Sequence, residues 1–360
     1  MLPAGAGQKW SRRFSVIDDM STANVVRAGE IARRLLGRDL AAVSATSGGR
    51  NSRVYRVTSA DGESFALKLY APVSADSADR RATEVRALTL LEEAGIEPVP
   101  RLVATDAQAN GSLLSWIPGE PVDTVDSGDL AGAVGFITAV HAAKSHPLAA
   151  EQRGAVESCL SGRELRRQVE RRMADLAALD DEPALHAFLA DKVQPEWQRY
   201  LALAKARSAR TGVDLEVDLT RRFQTLAPSD FGFHNALRLA NGSLAFIDFE
   251  YFGWDDPVKL SADLLLHPAT PLELSARLWL RKELGAVYAD DPHFDARLEA
   301  LFPLYAIRWT LILLNEYIPR NWRRRVLAGE MDSWAAAKSR QLDRARGFLA
   351  SLPTWLALAS

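Results

Sequence analysis

The chain has 360 residues, 48% hydrophobic and 25% charged, with a formal net charge of −2. That length accommodates more than one hydrophobic core. The nearly balanced charge argues against a dedicated nucleic-acid binder, which carries a basic excess.

Residues 1–20 mix Gly, Pro and charge and read as a loose terminus. Ser21 or Thr22 caps a helix to about Leu36, with Val25, Val26, Ile31, Leu35 and Leu36 on its apolar side and Gly37 as its stop. Strands follow at Leu40 to Thr46, Val54 to Val57 and Phe65 to Tyr70, joined by turns at Ser47 to Asn51 and Asp61-Gly62, which predicts an antiparallel meander. The next helix runs from about Ser77 to Ala94 and ends at Gly95. It places Glu84 on the same face as Leu88 and Leu91, an acid on the side that packs inward. Arg101 to Thr105 and Gly111 to Trp116 read as further strands. The irregular Ile117-Pro118-Gly119-Glu120-Pro121 marks a boundary between residues 1–116 and 117–360.

Beyond Val125 the pattern is mostly helical. Asp126 or Ser127 caps a helix through His141, and 162–178 and 183–207 are charged amphipathic helices. The single cysteine, Cys159, excludes an intrachain disulfide or a cysteine metal cluster. Further helices are expected at Leu260 to Leu266, Leu272 to Leu284, His293 to Tyr317 and Trp334 to Leu349. Leu301 to Leu314 is apolar but interrupted by Arg308 and too short for a bilayer, and no apolar run opens the chain. The expectation is a cytoplasmic protein with neither a membrane nor a nucleic-acid partner.

One stretch interrupts the helices. Asp230 and Asn235 precede a hairpin signal, Ala236 to Leu239 and Leu244 to Ile247 about Asn241-Gly242, and Asp248 and Glu250 follow it. The hairpin brings Asn235 and Asp248 to its open end, an all-oxygen donor set that suits a hard cation such as Mg²⁺. Upstream, the Gly48-Gly49 pair lets backbone N–H groups approach a phosphate, although such pairs also form ordinary turns. Lys68 lies in an apolar strand, where an unpaired lysine is rare. Glu84, on the helix that follows, is expected to pack against it and justify its burial.

Together these residues resemble the aminoglycoside phosphotransferase/choline kinase-like family over roughly residues 40 to 267. The carriers are Ser47 to Val57, Phe65 to Lys68, Glu84, Asp230 to Asn235, Ile247 to Tyr251 and Asp256-Pro257. The resemblance implies an α+β protein-kinase-like fold, with a small β-rich N-terminal lobe and a larger helical C-terminal lobe. It implies ATP and Mg²⁺ as cofactors and a small-molecule hydroxyl as acceptor. Ser47, Gly48, Gly49, Asn51 and Ser52 then cover the phosphates. Lys68, fixed by Glu84, holds the α- and β-phosphates. Ser115 and Trp116 belong to the hinge that meets adenine. Asp230 accepts or orients the acceptor's proton, and Asn235, Asp248 and Glu250 are the metal residues.

The chain departs from the family pattern in carrying Pro228 and Gly232 where the family commonly has histidines. His234 sits beside Asn235 instead, and His141 and His267 read as structural. The basic run of Arg320, Arg323, Arg324, Arg325, Lys338, Arg340, Arg344 and Arg346 tilts the acceptor toward a neutral or anionic compound such as a sugar. Trp309, Trp322 and Trp334 are candidates to stack on it. The alternatives are a nucleotide-binding pseudokinase or regulatory partner, and an aminoglycoside phosphotransferase proper. A protein kinase is disfavoured because no Asp-Phe-Gly to Ala-Pro-Glu segment follows Asp248.

Overall fold

The computed structural model describes residues 23–46, 52–71, 79–269, 272–327 and 332–358. These form two compact units, Met1–Arg81 with Pro100–Ile117, and Ala82–Val99 with Pro118–Ser360.

In the first unit a helix α1 (23–36) ends at Gly37, whose φ of +66° is the left-handed conformation a helix stop requires. Strands β1 (Leu40–Ala45), β2 (Ser52–Ser59), β3 (Ser64–Tyr70), β4 (Leu102–Asp106) and β5 (Gly111–Ser115) form an antiparallel sheet ordered β1-β2-β3-β5-β4. Ala28, Ile31 and Ala32 of α1 share a core with Tyr55, Val57, Phe65, Leu67 and Leu113, one face of the central strands. Helix α2 (Arg80–Glu93) begins in this unit and continues into the second.

The boundary read from sequence therefore needs correction, because 82–99 groups with the second unit. Polar contacts explain why. The Phe249 N–H donates to Glu84 Oε1 at 2.9 Å, Gln152 Nε2 donates to the Arg86 carbonyl at 3.1 Å, and the Phe246 N–H donates to the Pro98 carbonyl at 3.2 Å.

The second unit holds α3 (Ser127–Ala142), α4 (Gly162–Ala177), α5 (Pro183–Phe188), α6 (Gln194–Thr211), α7 (Pro257–Leu266), α8 (Leu274–Val287), α9 (Phe294–Leu313), α10 (Pro319–Leu327) and α11 (Trp334–Ala350). Asp126 and Asp129 form a reciprocal capping box at the start of α3. The helix expected over 183–207 is broken by a π-turn at Leu189–Val193, just before Pro195, which has no N–H for the regular ladder. Helix α10 is an element the sequence reading left out.

Helix α9 is the central strut, packed by α4, α6, α7 and α11. With the turn after it, Phe294–Tyr317, it is longer than its apolar stretch implied and long enough to cross a membrane, yet 83% of its most apolar window is buried inside the fold. Its Arg297 pairs with Asp256 and Asp291, and its Arg308 with Glu157 and Asp263, as suits a core helix.

The expected hairpin forms from β8 (Ala236–Leu239) and β9 (Leu244–Phe246), with Gly242 at φ +83° in the turn. The stretch read as irregular before it contains β6 (Gly119–Pro121), which adds to β8 as a third strand. A second ladder, β7 (Thr225–Ala227) with β10 (Gly253–Asp255), clamps the two ends of the segment that carries the expected site.

Candidate active site

The loop between β7 and β8 is held in a strained shape. Ser229 has φ +69°, and the Asp230 N–H donates back to the Pro228 carbonyl at 2.9 Å, closing a γ-turn of the rare positive-φ kind. Tertiary bonds hold it. Ser229 Oγ donates to the Val156 carbonyl at 3.0 Å, and Lys259 Nζ donates to Ser229 Oγ at 3.3 Å. Lys259 is itself buried between Asp255 at 2.9 Å and Asp263 at 3.2 Å, which hold its ammonium above the ordinary lysine range against the cost of burial. Pro228 is thus not the loop's only support.

Aromatic packing fixes the far side. Phe136 of α3 stacks on Phe231 at 5.6 Å and meets Phe246 at 4.5 Å and Phe249 at 6.1 Å. The loop, β9 and the turn after it therefore share one apolar anchor. Asn235 ends the loop. Its Nδ2 donates to the Asp230 carbonyl at 2.9 Å, and its carbonyl accepts the Ile247 N–H at 2.9 Å. Its Oδ1 is the atom left to ligate. Ile247, rather than Asp248, is the residue opposite Asn235; Asp248 lies one step beyond, with φ +69°, a strained value of the kind that clusters at functional sites.

Carboxylate oxygens of Glu84, Asp248 and Glu250 lie within 4.8 Å of one another, with Glu84 and Glu250 buried and Asp248 half-buried. Three carboxylates form an all-oxygen set, and this donor chemistry fits Mg²⁺. Glu84 joins it from α2, 165 residues before Phe249, whose N–H it accepts. The sequence did not predict that placement beside Asp248 and Glu250.

Asp230 has imidazole neighbours. Its Oδ1 lies 3.4 Å from His234 Nε2 and 3.5 Å from His267 Nε2. Desolvation works against ionisation of Asp230, but the nearness of the His234 and His267 imidazoles outweighs it and holds the carboxyl well below the usual carboxylate range. The same three side chains have the composition of a metal site. The two rings, however, stack at 4.0 Å with planes 7° apart, so their in-plane lone pairs run parallel and do not converge on one ion. His267, read from sequence as structural, is therefore part of the site, and the only local signal for it was its place at the end of α7. His141 fits its structural reading. Its Nδ1 lies 3.0 Å from Thr225 Oγ1, and its Nε2 accepts from Lys144 at 2.9 Å.

In the first unit, Lys68 is buried in β3, in register between Val54 and Ser112, with its ammonium 5.2 Å from the Tyr70 ring centre. Ser52 opens β2 opposite Tyr70. Ser47, Gly48, Gly49 and Asn51 lie outside the described residues. Ser115 does not offer its N–H to adenine, because that group donates to the Arg101 carbonyl at 2.9 Å, and its Oγ accepts the Arg101 N–H at 2.9 Å. Trp116 lies under the Arg56 guanidinium, 4.9 Å away.

The sequence model described as "Phosphotransferase enzyme family" matches residues 42–265. No curated protein matches the sequence. Among solved structures, the choline kinase of Streptococcus pneumoniae is similar with a TM-score of 0.54 and 15% identity, covering 89% of this chain and 97% of that one. A spectinomycin phosphotransferase in complex with ADP and spectinomycin gives 0.56 and 12%, covering 88% and 94%. The ethanolamine kinase of Plasmodium vivax gives 0.53 and 13%, covering 84% and 82%. At these identities the likeness shows the fold, the α+β protein-kinase-like architecture.

Proposed function

As a member of the phosphotransferase enzyme family, the chain is an enzyme that moves a phosphoryl group to a hydroxyl, and we propose that it uses Mg·ATP to phosphorylate a small metabolite. The observation that carries this reading is the oxygen cluster of Glu84, Asp248 and Glu250 next to the loop bearing Asp230 and Asn235. The ADP bound to the spectinomycin phosphotransferase supports the choice of nucleotide.

Asn235 Oδ1, Asp248 and Glu250 would hold the metal, which when bound neutralises charge on the transferring phosphate. Lys68 serves the α- and β-phosphates. Asp230 accepts a hydrogen bond from the attacking hydroxyl, orients it, and takes its proton as the new oxygen–phosphorus bond forms and the bond from the γ-phosphorus to the bridging oxygen of ATP breaks, releasing ADP. The reading includes a cytoplasmic location, where Mg·ATP is at hand, and excludes nucleic acid and membrane as substrates.

The acceptor's class is less closely drawn. A sugar or similar neutral or anionic compound was suggested by the basic C-terminal run and by three tryptophans, and both clues are largely engaged elsewhere. Arg325 pairs with Glu316 at 2.7 Å, Arg340 with Asp332 at 2.6 Å, Arg346 with Asp343 at 3.2 Å, and Lys338 with Glu182. Trp322 stacks on Trp334, which also carries Lys338 over its ring at 4.0 Å, and the Trp309 indole N–H donates to Asp263. A hydroxyl-bearing small metabolite is the proposal these contacts leave. The anchoring of Ser229 by Lys259 and Val156 supports a working loop over the pseudokinase alternative.

The test is a metabolite-library screen for Mg·ATP-dependent phosphorylation with Asp230→Asn as the blank. Phosphorylation of an acceptor by the wild-type chain alone is the expected result. Equal product from the blank would sink the assignment of Asp230, and absence of nucleotide turnover on every acceptor and on water would return the pseudokinase reading.

A further inference from the structure

The main chain of Asp230 is fixed by its own loop, but its carboxylate is met from a distant element. His267 follows the last residue of α7 and places Nε2 3.5 Å from Asp230 Oδ1. Three independent features shape this approach. The Ala269 N–H donates to His267 Nδ1 at 3.2 Å, so that nitrogen is the acceptor and the ring's proton lies on Nε2, the nitrogen 3.5 Å from Asp230 Oδ1. The ring is clamped on two sides. His234 stacks on it at 4.0 Å, and Trp309 meets it edge-on at 4.7 Å, with its own indole held by a 2.8 Å bond to Asp263. Gly232 leaves the room this stack needs. A Cβ there would sit 2.9 Å from His234 Nδ1 and 3.7 Å from His267 Cγ. Gly232 has extended backbone that any residue adopts, so space is what the position demands.

We infer that His267 is a positioning residue for Asp230, a clamped, neutral N–H donor that turns the carboxylate so that its second oxygen faces the acceptor hydroxyl. This deepens the phosphotransfer reading and rests on its assignment of Asp230. A neutral donor orients the carboxylate without cancelling the charge that makes it useful to a hydroxyl proton. His234 completes the stack as the second wall of the clamp.

The experiment uses the full chain with Mg·ATP as the probe and water as the phosphate acceptor, so no metabolite need be known. His267→Phe keeps a ring in the stack and removes Nε2. It should lower kcat roughly tenfold or more, the range seen when a partner that orients a functional group is lost, with KM for Mg·ATP within about twofold of wild type. His267→Gln, whose amide nitrogen can take the place of Nε2, should recover most of the rate. Gly232→Ala should act in the same direction as His267→Phe by prying the stack. Thermal unfolding checks each variant, and if His267→Phe does not fold, the glutamine and alanine variants carry the comparison. An arm free of turnover follows the imidazole ¹⁵N resonances, where Asp230→Asn should shift Nε2 of His267.

Wild-type hydrolysis by His267→Phe alongside an inactive Asp230→Asn overturns the role of His267 and leaves that of Asp230 standing. Wild-type hydrolysis by Asp230→Asn overturns the reading of Asp230, and the inference falls with it. An unmoved His267 resonance in Asp230→Asn overturns the contact itself.

Discussion

Glu84 and Phe249 are 165 residues apart in the chain, yet the Phe249 N–H donates to the Glu84 carboxylate at 2.9 Å. The bond braces the turn that presents Asp248 and Glu250 and brings a third carboxylate to them. Removing it with Glu84→Ala should weaken divalent-metal binding by about 10- to 100-fold, as loss of a supporting partner does elsewhere. Glu84→Gln, which still offers an oxygen to Phe249, should lose less. Mn²⁺ titration followed by electron paramagnetic resonance reads both, and equal affinities in all three proteins would refute the brace.

The buried ion network under the loop should dominate stability. Asp263 receives Lys259 at 3.2 Å, Arg308 at 3.6 Å and the Trp309 N–H at 2.8 Å, all with little solvent. Asp263→Ala leaves these donors without that partner, and breaking buried pairs from one side costs about 3–5 kcal/mol. Urea unfolding should show a loss of that order. A change below about 1 kcal/mol, the scale of an exposed pair, would mean the site relaxes or admits water.

Acid should weaken the fold in two stages. Burial pushes the His267 imidazole below its ordinary value and the nearby His234 adds to this, against the pull of Asp230. His141 is lowered likewise, by burial and then Lys144, against Asp290. The unfolded chain takes up these protons near pH 6.5, the folded chain only at lower pH. Below about pH 6.5 the unfolded state therefore holds more protons, and stability falls with falling pH. Asp230 acts at lower pH. Its depressed carboxyl adds stability above the unfolded value near 3.9, which is lost on further acidification. Urea midpoints at several pH values should show the first decline, with a smaller slope in His267→Gln; an unchanged slope counts against the imidazole's part.

Cys159 should be inert in the native protein. Burial pushes its thiol up to about 12, and its Sγ donates to the Ser161 carbonyl. Reaction with a thiol reagent at neutral pH should therefore wait on unfolding. Labelling as fast as a free peptide thiol would contradict the burial.

Much of the fold was legible because its signals are local. Gly37, Gly95 and Gly242 all take the left-handed φ their stop and turn positions require. Asp126 and Asp129 form the capping box, and the Asn241-Gly242 hairpin pairs as its apolar runs predict. What escaped depends on residues brought together from afar. Strand β6 is recognisable only by its pairing with β8, and β7 only by its pairing with β10. His267 looks like a helix-end histidine until its ring is set beside Asp230. The basic C-terminal run suggested a neutral or anionic acceptor because its partners Asp175, Glu182 and Glu316 lie on other elements.

The way α9 meets the acids of the second unit has a consequence for synthesis on the ribosome. Asp255, Asp256 and Asp263 emerge before the arginines of α9. Asp256 is buried to the point that desolvation raises its carboxyl, and it depends on Arg297 for compensation. A nascent chain that has delivered the β8–β9 hairpin and α7 but not residues 294–313 therefore carries the loop between β7 and β8 on a base it cannot bury. Asp256 and Asp263 meet their arginines only once α9 has left the exit tunnel, so this part of the core closes late in synthesis.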